Sequence, residues 1–156
     1  MTLIDRTGMP IEDTCWYQKD DALEQTPRSI VRLADWQAYR SQFGQRAAGT
    51  WVQGDQEVAD LISVLGDVDV IVIEFPKSRD GRGFSLARLL RERHHYEGDV
   101  RAAGPLLPDQ FSMLIQCGYT SLISPPSVPL GRWQEAAATQ RVSRPRTLLD
   151  RLTQER

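Results

Sequence analysis

The most constraining stretch of the chain is Val68–Phe75, VDVIVIEF, where Val68, Val70, Ile71, Val72, Ile73 and Phe75 put apolar side chains on both faces of one extended segment. A strand that is apolar on both sides has to be covered on both sides. That is the condition of an inner strand in a parallel sheet layered with helices. The flanking sequence supplies more of the same pattern. A strand is expected at Thr50–Gln53, followed by Asp55 as the cap of a helix whose Val58, Leu61, Ile62 and Leu65 recur at helical spacing, with Gly66 as its stop. Beyond the Asp80-Gly81-Arg82-Gly83 turn, Ser85 is expected to cap a helix reaching about Arg93, with Leu86, Leu89 and Leu90 on one stripe. Asp99–Ala103 is the third strand, and Asp109 caps a helix burying Phe111, Leu114 and Ile115 before Gly118. Thr120–Ser124 is the fourth strand, the proline-rich run after it a loop, and Gly131–Val142 a last helix with Trp133, Ala136 and Ala137 inward.

Strands alternating with helices in this order predict an α/β protein. The expected architecture is four consecutive βα units over residues 50–142, arranged as a half-barrel or a small open parallel sheet. Residues 1–49 read as a β-rich N-terminal layer, with DTCWYQ and SIVRLADW as strands before a short helix at Trp36–Gln42, and residues 143–156 as a basic tail containing an amphipathic TLLDRL turn. The whole chain is read as one domain, since 156 residues suffice to bury ~70% of the unfolded surface in a single core.

Charge narrows the function classes. Through Glu74 there are six basic residues against thirteen acidic, and from Phe75 onward thirteen against eight. Such polarity fits two faces that meet internally, or a cationic surface kept for an anionic ligand or acidic partner. Nucleic acid is disfavoured, because no Lys/Arg block or interleaved aromatic-basic motif is present. No run approaches the ~20 apolar residues of a membrane span and no secretory leader opens the chain, so a cytoplasmic location is expected. Cys15 and Cys117, with the adjacent His94 and His95, encode neither a disulfide framework nor a metal site. No dinucleotide fingerprint, P-loop, haem or iron–sulfur motif occurs, so no cofactor is evident.

Candidate site residues follow from the fold, because ligands in parallel α/β proteins collect beyond the carboxyl ends of the strands. There EFPKSRDGRGFS places Lys77, Arg79 and Arg82 beside Gly83 and Ser85 at an expected helix start, where free amides favour phosphate, sulfate or carboxylate. Arg101 joins these anion-binding candidates from the next strand. The bland alternative is a solvated turn and an ordinary cap. Glu74, Asp80, Asp109 and Gln110 are supporting candidates. Glu74 and Arg101, on successive strands, are expected to pair across the sheet, with Glu74 as a general base in the sharper version. Arg88 and Arg91 lie opposite the leucine stripe and are expected to be solvated, whereas Cys117 is expected to be buried.

The run EFPKSRDGRGFSLARLLRERHHYEGDVRAAG, followed by DQFSMLIQCGY, closely resembles a bacterial domain-of-unknown-function family, number 934. The resemblance is strong over about Thr50–Ser124. It implies a cytoplasmic accessory or oxidoreductase-like role in assimilatory sulfite reduction, with sulfite reductase or another sulfur-assimilation enzyme as partner, and it carries no assigned catalytic residues. The expected function is therefore a non-enzymatic accessory protein. A small-anion-binding enzyme or sensor for sulfite, sulfate or phosphate is the alternative, and a homodimer using the Trp-rich N-terminal layer is a third.

Overall fold

The computed structural model describes residues 2–20 and 22–142. Eight strands form one sheet: β1 (Thr2–Asp5), β2 (Pro10–Ile11), β3 (Trp16–Gln18), β4 (Ser29–Arg32), β5 (Gly49–Gln53), β6 (Val70–Glu74), β7 (Asp99–Ala103) and β8 (Ser121–Ser124). Their spatial order is β2-β1-β8-β7-β6-β5-β4-β3, parallel from β3 through β8, with β1 antiparallel to β8 and β2 antiparallel to β1. The helices are α1 (Trp36–Phe43), α2 (Val58–Leu61), α3 (Arg82–Glu92), α4 (Phe111–Gln116) and α5 (Leu130–Val142).

Consecutive parallel strands lie side by side, so every crossover steps the same way, and right-handed crossovers then send the helices to one face. The core shows the consequence. Outward-facing Val31, Val52, Ile71, Ile73, Val100, Ala102 and Leu122 are buried beneath Trp36, Leu61, Leu86, Leu90, Leu114 and Trp133 from the helical layer. The opposite face carries only a small apolar cluster of Ile30, Val70 and Val72, flanked by Tyr17, Trp51 and Ala103.

Chain length explains why that second face is not flat. Ile11 and Trp16 belong to opposite edges of the sheet, yet the five steps between them span at most ~18 Å when fully extended. Eight flat strands would hold those edges ~34 Å apart. The sheet must therefore curl into a half-barrel, and residues 12–15 form a strap across its open side. The double-sided apolar pattern of Val68–Phe75 is satisfied by helices outside and by the concavity inside.

The N-terminal residues are thus part of the same sheet and not a separate layer. β3 and β4 extend the parallel run at one edge, while β1 and β2 extend the other, so the parallel portion holds two strands more than the four expected units. Helix starts also differ. Helix α2 is a single turn that tightens into a 3-10 segment at Ile62–Val64, which turns Ile62 outward to 51% exposure and buries Val64; its start has no side-chain cap from Asp55. Helix α3 begins at Arg82 rather than at Ser85, with the Asp80 carboxylate accepting the Arg82 N–H at 3.1 Å. Before α4, Gln110 rather than Asp109 closes the turn, its Oε1 accepting the Leu107 N–H at 3.1 Å. The TLLDRL turn and the remainder of 143–156 lie outside the described residues. Among the described residues, no helix is long and apolar enough to cross a membrane.

Candidate ligand pocket

Alternation along the strands decides what enters the concavity. From its amino end toward its carboxyl end, the inner face presents Tyr17 with Ile30 and Val70, then Trp51, Val72 and Arg101, and then Glu74 with Ala103. At the carboxyl end Tyr17, Trp51, Val72, Glu74 and Ala103 and the loops that follow β7 and β8 line a cavity of about 340 Å³. Ligand pockets commonly measure ~300–1,000 Å³, so this one suits a small molecule.

Its floor is apolar: Val72, Ala103 and Ile123, with the half-buried Trp51 as a wall. The Trp51 indole N–H donates to the Gln18 carbonyl at 3.3 Å, which lays the ring across β4 toward β3. The Lys19 ammonium stands 5.4 Å from the centroid of that ring, a cation–π distance. Pro105, Pro125 and Pro126 line the loop side, where fixed φ angles stiffen the rim. Gly104 belongs to the same rim at φ +103°; a Cβ there would sit 2.2 Å from the Phe75 carbonyl oxygen, so only glycine permits this approach. Two charged groups reach the cavity, Lys19 and Glu74. Glu74 accepts a hydrogen bond from the Gln53 amide at 3.2 Å, and neither charge makes an ion pair among the described residues.

Arg101 does not line the cavity; it is nearly buried and fully engaged. It contacts Asp99 at 2.8 Å and Asp13 at 3.1 Å, and it donates to Ser121 Oγ and to the Tyr17 hydroxyl. The Tyr17 hydroxyl in turn donates to Asp13 at 2.6 Å. Burial alone would depress the Arg101 pKa, but Asp99 and Tyr17 hold it above its ordinary value. Burial likewise pushes Asp13 up, yet hydrogen bonds from Tyr17 and the Cys15 N–H, with Arg101 nearby, leave it lowered overall. The cluster anchors the strap to the sheet and fixes the phenol that lines the pocket. The expected Glu74–Arg101 pair is not formed: Glu74 lies level with Ala103, and the carboxylates facing Arg101 come from its own strand and from the strap.

The Asp80–Gly83 turn is built differently from an open anion cradle. Arg82 is 61% exposed and makes two bonds to the Asp80 carboxylate, at 3.0 and 2.6 Å, with Asp55 at 3.7 Å. Hydrogen bonding from the Arg82 side chain and amide brings the Asp80 carboxyl down to about 2. Lys77, Arg79 and Ser85 are exposed. Gly83 has a packing role, since a Cβ there would lie 2.6 Å from the Phe75 ring. Gln110 reaches the same region and donates to the Ser78 carbonyl, whereas Asp109 is exposed. The structure therefore brings Arg82, Asp80 and Asp55 together, and Gln110 with Ser78, while Arg101 sits apart inside the half-barrel.

Arg91 also departs from expectation. Instead of standing free in solvent, it donates to the carbonyls of Tyr96, Gly98 and Gly118, at 2.6, 2.8 and 2.9 Å, and ties the end of α3 to the starts of β7 and β8. Cys117 is buried as expected. Lys19, Tyr17 and Trp51 escaped the sequence reading because they reach the pocket only through the curl of the sheet. The available signal was the alternation in Thr50-Trp51-Val52-Gln53, which sets Trp51 on the face opposite Val52.

A family model described as "Bacterial protein of unknown function (DUF934)" matches residues 49–145. No curated protein matches the sequence.

Proposed function

Because the chain belongs to this bacterial family of unknown function, and the matched region holds every pocket-lining residue except Tyr17 and Lys19, we propose that the protein binds a small molecule with an apolar body in the concave pocket. The observation that carries this reading is an apolar-floored cavity of about 340 Å³ at the carboxyl ends of parallel strands, where this architecture places its ligands. The anionic apolar dye 1-anilinonaphthalene-8-sulfonate tests it. Native protein should bind one equivalent, and Ala103→Phe, which fills the floor, should weaken binding at least ~10-fold while circular dichroism stays native. Undiminished binding to the variant would place the dye elsewhere and defeat the reading.

A partner-binding role is the second reading, favoured by Met9, Ile11 and Trp16, exposed at 50%, 44% and 59% on or beside the two sheet edges. Edge strands with apolar side chains are ready surfaces for another chain. The sulfur-assimilation enzyme expected as partner, sulfite reductase above all, and a cytoplasmic setting rest on the family resemblance. Co-purification from cytoplasmic extract tests this reading, and light scattering tests the homodimer. The anion reading at the turn now leans on Lys77 and Arg79, since Arg82 is already compensated by two carboxylates. Calorimetric titration with sulfite and phosphate addresses it.

A further inference from the structure

The pocket carries one cation and one carboxylate on an otherwise apolar lining, and this pairing narrows the ligand. Lys19 projects from the end of β3 over the Trp51 ring. Glu74 ends β6, with the Gln53 amide on one of its oxygens. Both line the same cavity without making a salt bridge to each other. Two opposite charges held apart above an apolar floor repel a singly charged ligand at one end while attracting it at the other. A molecule that bears both charges satisfies the two together.

Resting on the small-molecule reading above, we infer that the pocket takes a zwitterionic amino acid with a large apolar side chain, its carboxylate toward Lys19, its ammonium toward Glu74 and its side chain on the Val72, Ala103 and Ile123 floor. The Trp51 wall favours an aromatic or sulfur-bearing side chain, through ring or S–aromatic contact. A charge-assisted hydrogen bond contributes ~1.5–3 kcal/mol, about tenfold or more in affinity, so removal of either ligand charge should be visible in a titration.

The test compares L-phenylalanine and L-methionine with 3-phenylpropionate, 2-phenylethylamine and neutral 3-phenylpropanamide, each measured calorimetrically and by displacement of the dye. The expected result is an amino acid bound at least ~10-fold more tightly than any of the three analogues. Lys19→Met should abolish the advantage over 2-phenylethylamine, and Glu74→Gln the advantage over 3-phenylpropionate. If the amide matches the amino acids, or if the two variants leave the ranking unchanged, the zwitterion assignment is overturned while the pocket survives. If the dye and all five compounds fail to bind the native protein, both assignments fall.

Discussion

At the scale of single residues, Arg101 is the side chain on which the interior of the half-barrel depends. Its guanidinium is 6% exposed and balances Asp99 and Asp13 together. Arg101→Met would leave the partly exposed Asp99 and Asp13 carboxylates without their shared cation; one-sided removal of a fully buried pair costs ~3–5 kcal/mol, and that partial exposure puts this case at the lower end. A chemical denaturation midpoint lowered to that extent is expected; a change within experimental scatter would show the cluster to be dispensable. Asp13 adds a pH dependence. Its carboxyl titrates below the ordinary 3.8 in the folded chain, so its contribution is present in full above that value and is lost as acid carries the pH through the folded-state pKa. Asp13→Asn should flatten the acid limb of a stability–pH curve and leave the neutral-pH slope unaltered. An unchanged acid limb would assign the effect to other carboxylates.

At the scale of elements, the strand–turn–helix from β6 to α3 shows what a linear reading can and cannot recover. The β6 strand and the apolar stripe of α3 were legible because hydrophobic periodicity is written locally in the chain. The meaning of Gly83 was not, since an anion cradle and a helix–strand contact both call for glycine, and only the position of the Phe75 ring separates them. Gly83→Ala should therefore destabilise the fold by ~1–3 kcal/mol through overpacking, read as a lower melting temperature, without altering ligand affinity at the concave pocket. A stable Gly83→Ala protein would indicate that Phe75 moves aside freely. The same reasoning covers Arg82: the one acidic residue of the turn, Asp80, was visible, but its two-bond contact with Arg82 was not. Cap positions slipped for a related reason. Asp55, Ser85 and Asp109 have the right chemistry for caps, but the backbone entered each helix elsewhere, and Asp80 and Gln110 supplied the hydrogen bonds to the entering turns.

At the scale of the whole molecule, the half-barrel follows from a length argument that operates only once strand order is known. The α/β class and the alternative of a half-barrel were legible from the alternation of elements after Thr50. Of the first fifty residues, β3, β4 and α1 were legible, but β1, β2 and the places of all four strands in the sheet were not, because β2 holds only two residues and because pairing partners at the sheet edges are set by tertiary contact. Once the strap of residues 12–15 joins the two edges, the curl, the apolar concavity and the pocket at its mouth follow together. Lys19 and Tyr17 are distant in sequence from β6 and β7, and only the closed-up sheet delivers them to the same cavity as Glu74 and Ala103. The N-terminal segment thus supplies two side chains of the binding site, Tyr17 and Lys19. Amide chemical-shift mapping with L-phenylalanine tests this most directly. The account predicts perturbations concentrated at Lys19, the Trp51 indole, Glu74, Gly104 and Ser124; shifts confined to Lys77–Ser85, with those five unmoved, would contradict it.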